Sequence, residues 1–139
     1  MTNRLVIVES PTKAKTIDKF LGSDFTVTTS QNKENFFCLS GRTAIKLIID
    51  KLTMTGEKCL IPNYLCSSIF HSISNFDYYK ISNDLSIDYD NLVKLINNNK
   101  YKILFIINYF GHIDDKIVDI KQKCTENNIL IVEDFTHNL

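Results

Sequence analysis

Short β-branched runs alternate with stretches of helical spacing along nearly the whole of this 139-residue chain. Leu5–Val8, Phe25–Thr29, Cys59–Pro62, Tyr78–Ile81, Ile103–Ile107 and Ile129–Val132 read as strands. Between them, Lys13–Leu21, Thr43–Leu52, Leu65–Ile73, Tyr89–Ile96 and Asp114–Cys124 place apolar residues at helical spacing. Such alternation predicts strands joined through helical crossovers, hence parallel strands with helices packed on them. The expected fold is α/β: a partial, mostly parallel sheet with helices on both faces, in three layers. Local punctuation agrees. Pro11 stands where a helix can begin, Gly22 follows the last helical position of its segment, Pro62 stops a strand, and Asn97, Asn98 and Asn99 close a helix.

Composition bounds the function. A chain that is 44% hydrophobic and 23% charged can bury a core and should be globular. Its sixteen basic and sixteen acidic residues cancel, whereas duplex-binding domains usually carry a basic excess. No DNA partner is therefore expected, although Lys13, Lys15 and Lys19 form a local basic cluster. Cys38, Cys59, Cys66 and Cys124 include no CxxC pair and lie at no metal-ligand spacing, so neither a metal site nor a disulfide framework is expected. Cys59 and Cys66 sit in or beside apolar text and read as buried thiols. The start has no long apolar signal segment, and the run at 103–110 is too short to span a bilayer, so the expected compartment is the cytoplasm.

Three places could carry chemistry. Glu9 follows the first strand run, where parallel sheets place functional groups, but it reads more readily as an exposed strand-end carboxylate without a catalytic role. Ser40-Gly41-Arg42-Thr43-Ala44 is a small-residue turn into a helix, and the unpaired N–H groups of a helix start attract anions. Asp134 should emerge at the C-terminal end of the last strand, as a ligand group or as a strand-end cap.

Two resemblances sharpen these readings. Residues 4–27, reading LVIVESPTKAKTIDKFLGSDFTV from Leu5, resemble the beginning of the Toprim domain of type IA DNA topoisomerases. That resemblance implies a β-α-β segment over residues 1–30, with Glu9 beside a scissile phosphate assisting proton transfer. The same chemistry takes an Asp-x-Asp pair to hold magnesium and a distant tyrosine nucleophile. Asp88-Tyr89-Asp90 has the letters of such a pair but opens a helix, where it reads as an N-cap and first turn. Glu9 is accordingly expected to be vestigial.

After a polar junction at Gln31–Asn35, residues 36–139 change character. LSGRTAIKLIIDKL (39–52), IPNYLCSS (61–68), NYFG (108–111) and IVEDFTH (131–137) follow in order. Together they resemble the first part of the large domain of the fold-type-I, pyridoxal-phosphate (PLP) dependent sugar aminotransferases of the DegT/DnrJ/EryC1/StrS type. The resemblance implies that Gly41, Arg42, Thr43 and Ala44 cradle the phosphate of PLP. It implies that Tyr64 supplies an aromatic ring over the cofactor, and that Asp134 pairs with the protonated pyridine nitrogen. His137 stands where the family often has a Gln against the phenolic oxygen, and Phe135 and His137 both depart from the usual EDxAQA text. In the NYFG turn, Gly111 would permit a tight bend before Asp114 or Asp115. The family's cofactor-bonding lysine belongs to text beyond this segment, and Lys100 and Lys102 lie outside that context. The expectation is a truncated or chimeric aminotransferase-like protein with at most weak PLP binding and no transamination. A sheet left with an open edge is also expected to self-associate, unless Leu5–Val8 docks there.

Overall fold

The computed structural model describes residues 4–7 (backbone only), 40–52, 57–98 and 100–136. The expected helix Lys13–Leu21, the strand Phe25–Thr29, the junction at Gln31–Asn35, and the site candidates Glu9 and His137 lie outside the described residues.

Five parallel strands form one sheet: β1 (Arg4–Ile7), β2 (Lys58–Pro62), β3 (Phe76–Tyr79), β4 (Tyr101–Ile107) and β5 (Leu130–Asp134). Their spatial order is β1-β5-β4-β2-β3. Three α-helices accompany them: α1 (Gly41–Leu52), α2 (Tyr89–Ile96) and α3 (Ile117–Glu126). β4 lies at the centre, between β5 and β2. Buried on both faces, it needs apolar side chains at every position, which is why its text is a continuous run rather than an alternation. β1 pairs with β5 from Arg4 opposite Ile131 to Ile7 opposite Asp134. The first strand of the topoisomerase-like segment is thus an edge of the same sheet that the rest of the chain builds.

The period-two alternation of strands sorts the core onto two faces. Cys59, Ile61, Ile103, Phe105, Ile107 and Val132 meet Ile45 and Ile49 of α1. Leu60, Leu104, Ile106 and Ile131 meet Leu92 and Ile96 of α2 and Ile120 and Cys124 of α3. Helices therefore cover both faces, as the sequence predicts. On the second face, Glu133 of β5 lies 2.8 Å from the Lys121 ammonium of α3, and both side chains are nearly enclosed.

The helix starts follow from local hydrogen bonding. The Ser40 hydroxyl accepts the Thr43 N–H at 3.2 Å and its carbonyl accepts the Ala44 N–H at 3.1 Å, which caps α1. Asp88 caps α2 by accepting the Asn91 N–H at 3.0 Å, the role expected for it in Asp88-Tyr89-Asp90. Two expectations are corrected here. The Leu65–Ile73 segment is not an α-helix but a short 3-10 turn, Ser67–His71. Its Ile69 and Ile73 do reach the core, but a crossover this brief has no room for successive α-turns. Helix α3 begins at Ile117 rather than Asp114. The Asp114 carboxylate is spent on the chain before the helix, accepting the Lys116 N–H at 2.8 Å and the Ile87 N–H at 2.7 Å. Among the described residues no helix is long and apolar enough to cross a membrane.

Candidate functional site

The C-terminal ends of β2, β4 and β5 and the N-terminus of α1 converge on one cleft of about 480 Å³. This is the edge where parallel α/β sheets place ligands, because crossover loops leave a crevice there. Its walls include Gly41 and Arg42 from the start of α1, Tyr64 and Cys66 from the loop after β2, Ile107 and Tyr109 from the end of β4, and Asp134 and Thr136 from the end of β5.

The alternation of β5 decides what Asp134 does. Val132 faces α1 and Glu133 the opposite layer, so Asp134 returns to the α1 side just as the strand ends. It is 5% exposed and lines the cleft. Its Oδ1 accepts the Thr136 N–H at 2.9 Å, while among the described residues no donor reaches Oδ2. The strand end is fixed from both sides: the Asp134 carbonyl accepts the Asn108 N–H at 3.0 Å, and Ile7 of β1 lies opposite. A nearly buried carboxylate on the cleft wall can accept a hydrogen bond from a bound molecule.

The start of α1 supplies the opposite polarity. Ser40 takes the amides of Thr43 and Ala44; those of Gly41 and Arg42, which have no partner within the helix, belong to residues that line the cleft. Gly41 is not forced by space, since a Cβ there would meet only the Thr136 methyl at 3.8 Å.

Tyr109 organises the third wall. It is 5% exposed and its hydroxyl donates to the Tyr64 carbonyl, with the two rings 5.5 Å apart. Burial, and then the neighbouring Tyr64 and Asp134, hold the Tyr109 phenol far above its ordinary value, so it stays neutral and keeps its donor proton. The Tyr64 ring itself is 58% exposed at the mouth. Beyond Tyr109, Phe110 (φ 51°) and Gly111 (φ 78°) are both left-handed, which makes the tight bend expected of the NYFG text.

Of the candidates, Gly41, Arg42, Tyr64 and Asp134 meet in the cleft; Thr43 and Ala44 stand on the same helical turn with their amides spent on the cap. Tyr109 and Thr136 were not singled out from sequence, because a buried tyrosine and a strand-end threonine carry no signal until the strand ends converge. Cys66 reverses an expectation. It is exposed on the cleft rather than buried, while Ile69 of the 3-10 turn and Ile73 just after it reach the core. Cys59 is buried as expected, and burial pushes its thiol up to about 12.

The comparisons with known proteins agree with both halves of this picture. No family model matches the chain. A protein assigned as a sugar aminotransferase from Streptococcus pneumoniae superposes in its PMP form with a TM-score of 0.52 and 25% identity, over 67% of this chain and 28% of that one. The PLP-bound C-S lyase from Staphylococcus hominis superposes with a TM-score of 0.58 at 13% identity, over 91% of this chain and 41% of the lyase. The fold is thus α/β of the fold-type-I kind, similar to part of PLP-dependent aminotransferases and lyases, less than half of whose length it spans. Over 58 residues the chain is also 47% identical to DNA topoisomerase 1 of Escherichia coli K12, and 45% identical to that of Salmonella typhimurium LT2. It spans 7% of the length of those curated relatives.

Proposed function

We propose that the cleft is a non-covalent binding site for PLP, carried on a truncated or chimeric sugar-aminotransferase-like protein. The single observation that supports this most is Asp134, nearly buried at a strand end and lining the same cleft as the start of a helix. The two groups match a ligand that is a heteroaromatic cation at one end and a phosphate at the other. Gly41, Arg42 and the first turn of α1, which includes Thr43 and Ala44, would hold the phosphate. Asp134 would hold the pyridinium N–H, and Tyr64 would cover the ring from the mouth. The bound cofactor supplies an electron-withdrawing ring; this chain's residues anchor and orient it. Among the described residues no lysine lines the cleft, and the proposal is accordingly non-covalent binding without transamination.

Equilibrium dialysis against PLP tests this reading. Asp134→Asn keeps the shape and removes the charge. It should weaken binding by roughly 10- to 100-fold, from the ~1.5–3 kcal/mol that a hydrogen bond to a charged group contributes. Unchanged affinity in that variant, or no binding by the intact chain, would overturn the proposal.

A second reading is favoured by the 47% identity to a topoisomerase: a Toprim-like fragment associated with DNA. Glu9 alone supplies too little for phosphoryl transfer, which takes several carboxylates converging on a metal ion. Supercoiled plasmid incubated with the protein and magnesium should stay supercoiled. Relaxation that disappears in Glu9→Gln would make the second reading the correct one.

A further inference from the structure

We propose that β3 is an interaction surface for a second copy of this chain: the two β3 strands pair antiparallel about a two-fold axis and join the two sheets edge to edge. The inference does not rest on the PLP reading.

The hydrogen-bond parity of the strand carries it. The order β1-β5-β4-β2-β3 leaves β3 outermost. On its inner side the Cys59 N–H donates to the Asn75 carbonyl and the Asn63 N–H to the Tyr79 carbonyl, both at 2.9 Å. Backbone groups alternate sides along a strand, so the odd-numbered residues bond to β2, and Phe76, Tyr78 and Lys80 turn their N–H and C=O outward. Lys80 is closed off. Its N–H donates to Asn91 Oδ1 at 2.9 Å, and its carbonyl accepts the Asp88 N–H at 3.0 Å. Among the described residues nothing pairs the outward groups of Phe76 and Tyr78. That set is self-complementary in one register. With Phe76 opposite Tyr78 of the second copy, and Tyr78 opposite its Phe76, every outward N–H meets an outward C=O. Sliding the second copy toward Lys80 meets groups that are already bonded.

The side chains fit the same register. Phe76 and Tyr78 share a face. There Phe70 of the 3-10 turn stacks on Phe76 at 5.8 Å, and Tyr78 packs edge-on against Phe70 and Phe76 at 6.2 and 5.3 Å. Phe70 and Tyr78 stay 37% and 47% exposed. Pairing sets each Phe76 ring beside the Tyr78 ring of the other copy and merges the two aromatic clusters. On the opposite face Asp77 meets Asp77 of the second copy at the axis, and the charges around it are complementary. Lys58 Nζ lies 3.1 and 3.2 Å from the two Asp77 oxygens, the Tyr101 hydroxyl donates to Asp77 at 2.8 Å, and Lys100 is close enough to attract it. Each carboxylate thus brings its own ammonium groups to the axis. A lysine or proline inside an edge strand would resist such pairing, and Phe76–Tyr79 holds neither. A two-fold contact uses the same strand of both copies, so association through β3 stops at the dimer. A contact this short belongs to the weak class that buries less than about 1,200 Å².

Sedimentation velocity of the full chain, from micromolar to near-millimolar concentration, should show a reversible monomer–dimer equilibrium. Tyr78→Lys should raise the dimer dissociation constant at least about tenfold. It should leave PLP affinity as in the intact chain, since Tyr78 lies outside the cleft. Cross-linking checks the register without that variant. With Cys38 and Cys66 replaced by serine, Asp77→Cys should oxidise to a disulfide-linked dimer, because a residue opposite itself in a non-hydrogen-bonded pair has a Cα separation of about 4.5 Å. Tyr78→Cys should cross-link far less, because it faces Phe76. A monomer at every concentration overturns the inference. So does a dimer that Tyr78→Lys leaves unchanged, or cross-linking through position 78 in preference to 77, since both place the contact elsewhere. Those results leave the PLP cleft standing, and a failure of PLP to bind leaves this interface standing.

Discussion

Removing residues 1–30 is expected to make the protein assemble beyond a dimer. β1 supplies the parallel ladder along the outer side of β5, from Arg4 opposite Ile131 to Ile7 opposite Asp134. Without it β5 becomes an edge, and its unpaired amides and carbonyls can template another chain. Each ladder hydrogen bond lost removes about 1 kcal/mol net. The exposed edge would also carry Ile131 and Val132, both buried in the intact protein. The opposite edge, β3, already shows a half-exposed Tyr78 packed edge-on against Phe70 and Phe76. With both edges open the sheet can grow in two directions. Sedimentation velocity should show larger or polydisperse assemblies for the deletion, and lower solubility. The same deletion should weaken PLP binding, because Ile7 helps fix the strand end that carries Asp134. A monodisperse monomer of unchanged PLP affinity, with or without residues 1–30, would show that β1 is dispensable to the sheet.

What the sequence made legible here depended on how local each determinant is. β4 could be read from its text because a strand buried on both faces writes its burial at every residue, from Ile103 to Ile107. The α2 cap at Asp88 was legible because it reaches only to Asn91. The ordered motif segments implied that Gly41, Arg42, Tyr64 and Asp134 face one ligand, and the four do line one cleft. The failures involve partners distant in sequence. Asp114 gives up a helix start to hold Ile87, far back in the chain, and no helical spacing could reveal that bond. Cys66 sits in apolar text, yet whether it is buried is decided by the pitch of a 3-10 turn. Tyr109 looks like turn text, but its hydroxyl reaches back to the Tyr64 carbonyl and joins two walls of the cleft. The docking of β1 on β5 could be stated only as one of two outcomes, because an edge strand finds its partner by register rather than by composition.

Glu133 and Asp134 are neighbours in sequence with opposite duties, and Lys121→Met separates them. The pleat turns Glu133 toward α3, where its Oε1 lies 2.8 Å from the Lys121 ammonium and its side chain is 2% exposed. It lies on the face of the sheet that carries the apolar cluster of Ile106, Ile120 and Ile131, and a carboxylate this enclosed has little access to water. Taking away the ammonium strands that charge, and breaking a buried pair in this way costs about 3–5 kcal/mol. Against the ~5–15 kcal/mol that holds a typical domain folded, the single variant should lose a large part of its stability in urea. Replacing both partners, Lys121→Met with Glu133→Leu, removes the stranded charge and should recover most of the loss. Asp134 faces the other way, into the cleft, and carries no such structural duty. Lys121→Met that remains folded should therefore bind PLP as the intact chain does, while Asp134→Asn should lose affinity with little change in urea midpoint. If Lys121→Met costs less than about 1 kcal/mol, the pair behaves as a hydrated surface pair. If instead Lys121→Met weakens PLP binding as much as Asp134→Asn, the two carboxylates act as one unit, and the division of the strand end into a structural face and a binding face fails.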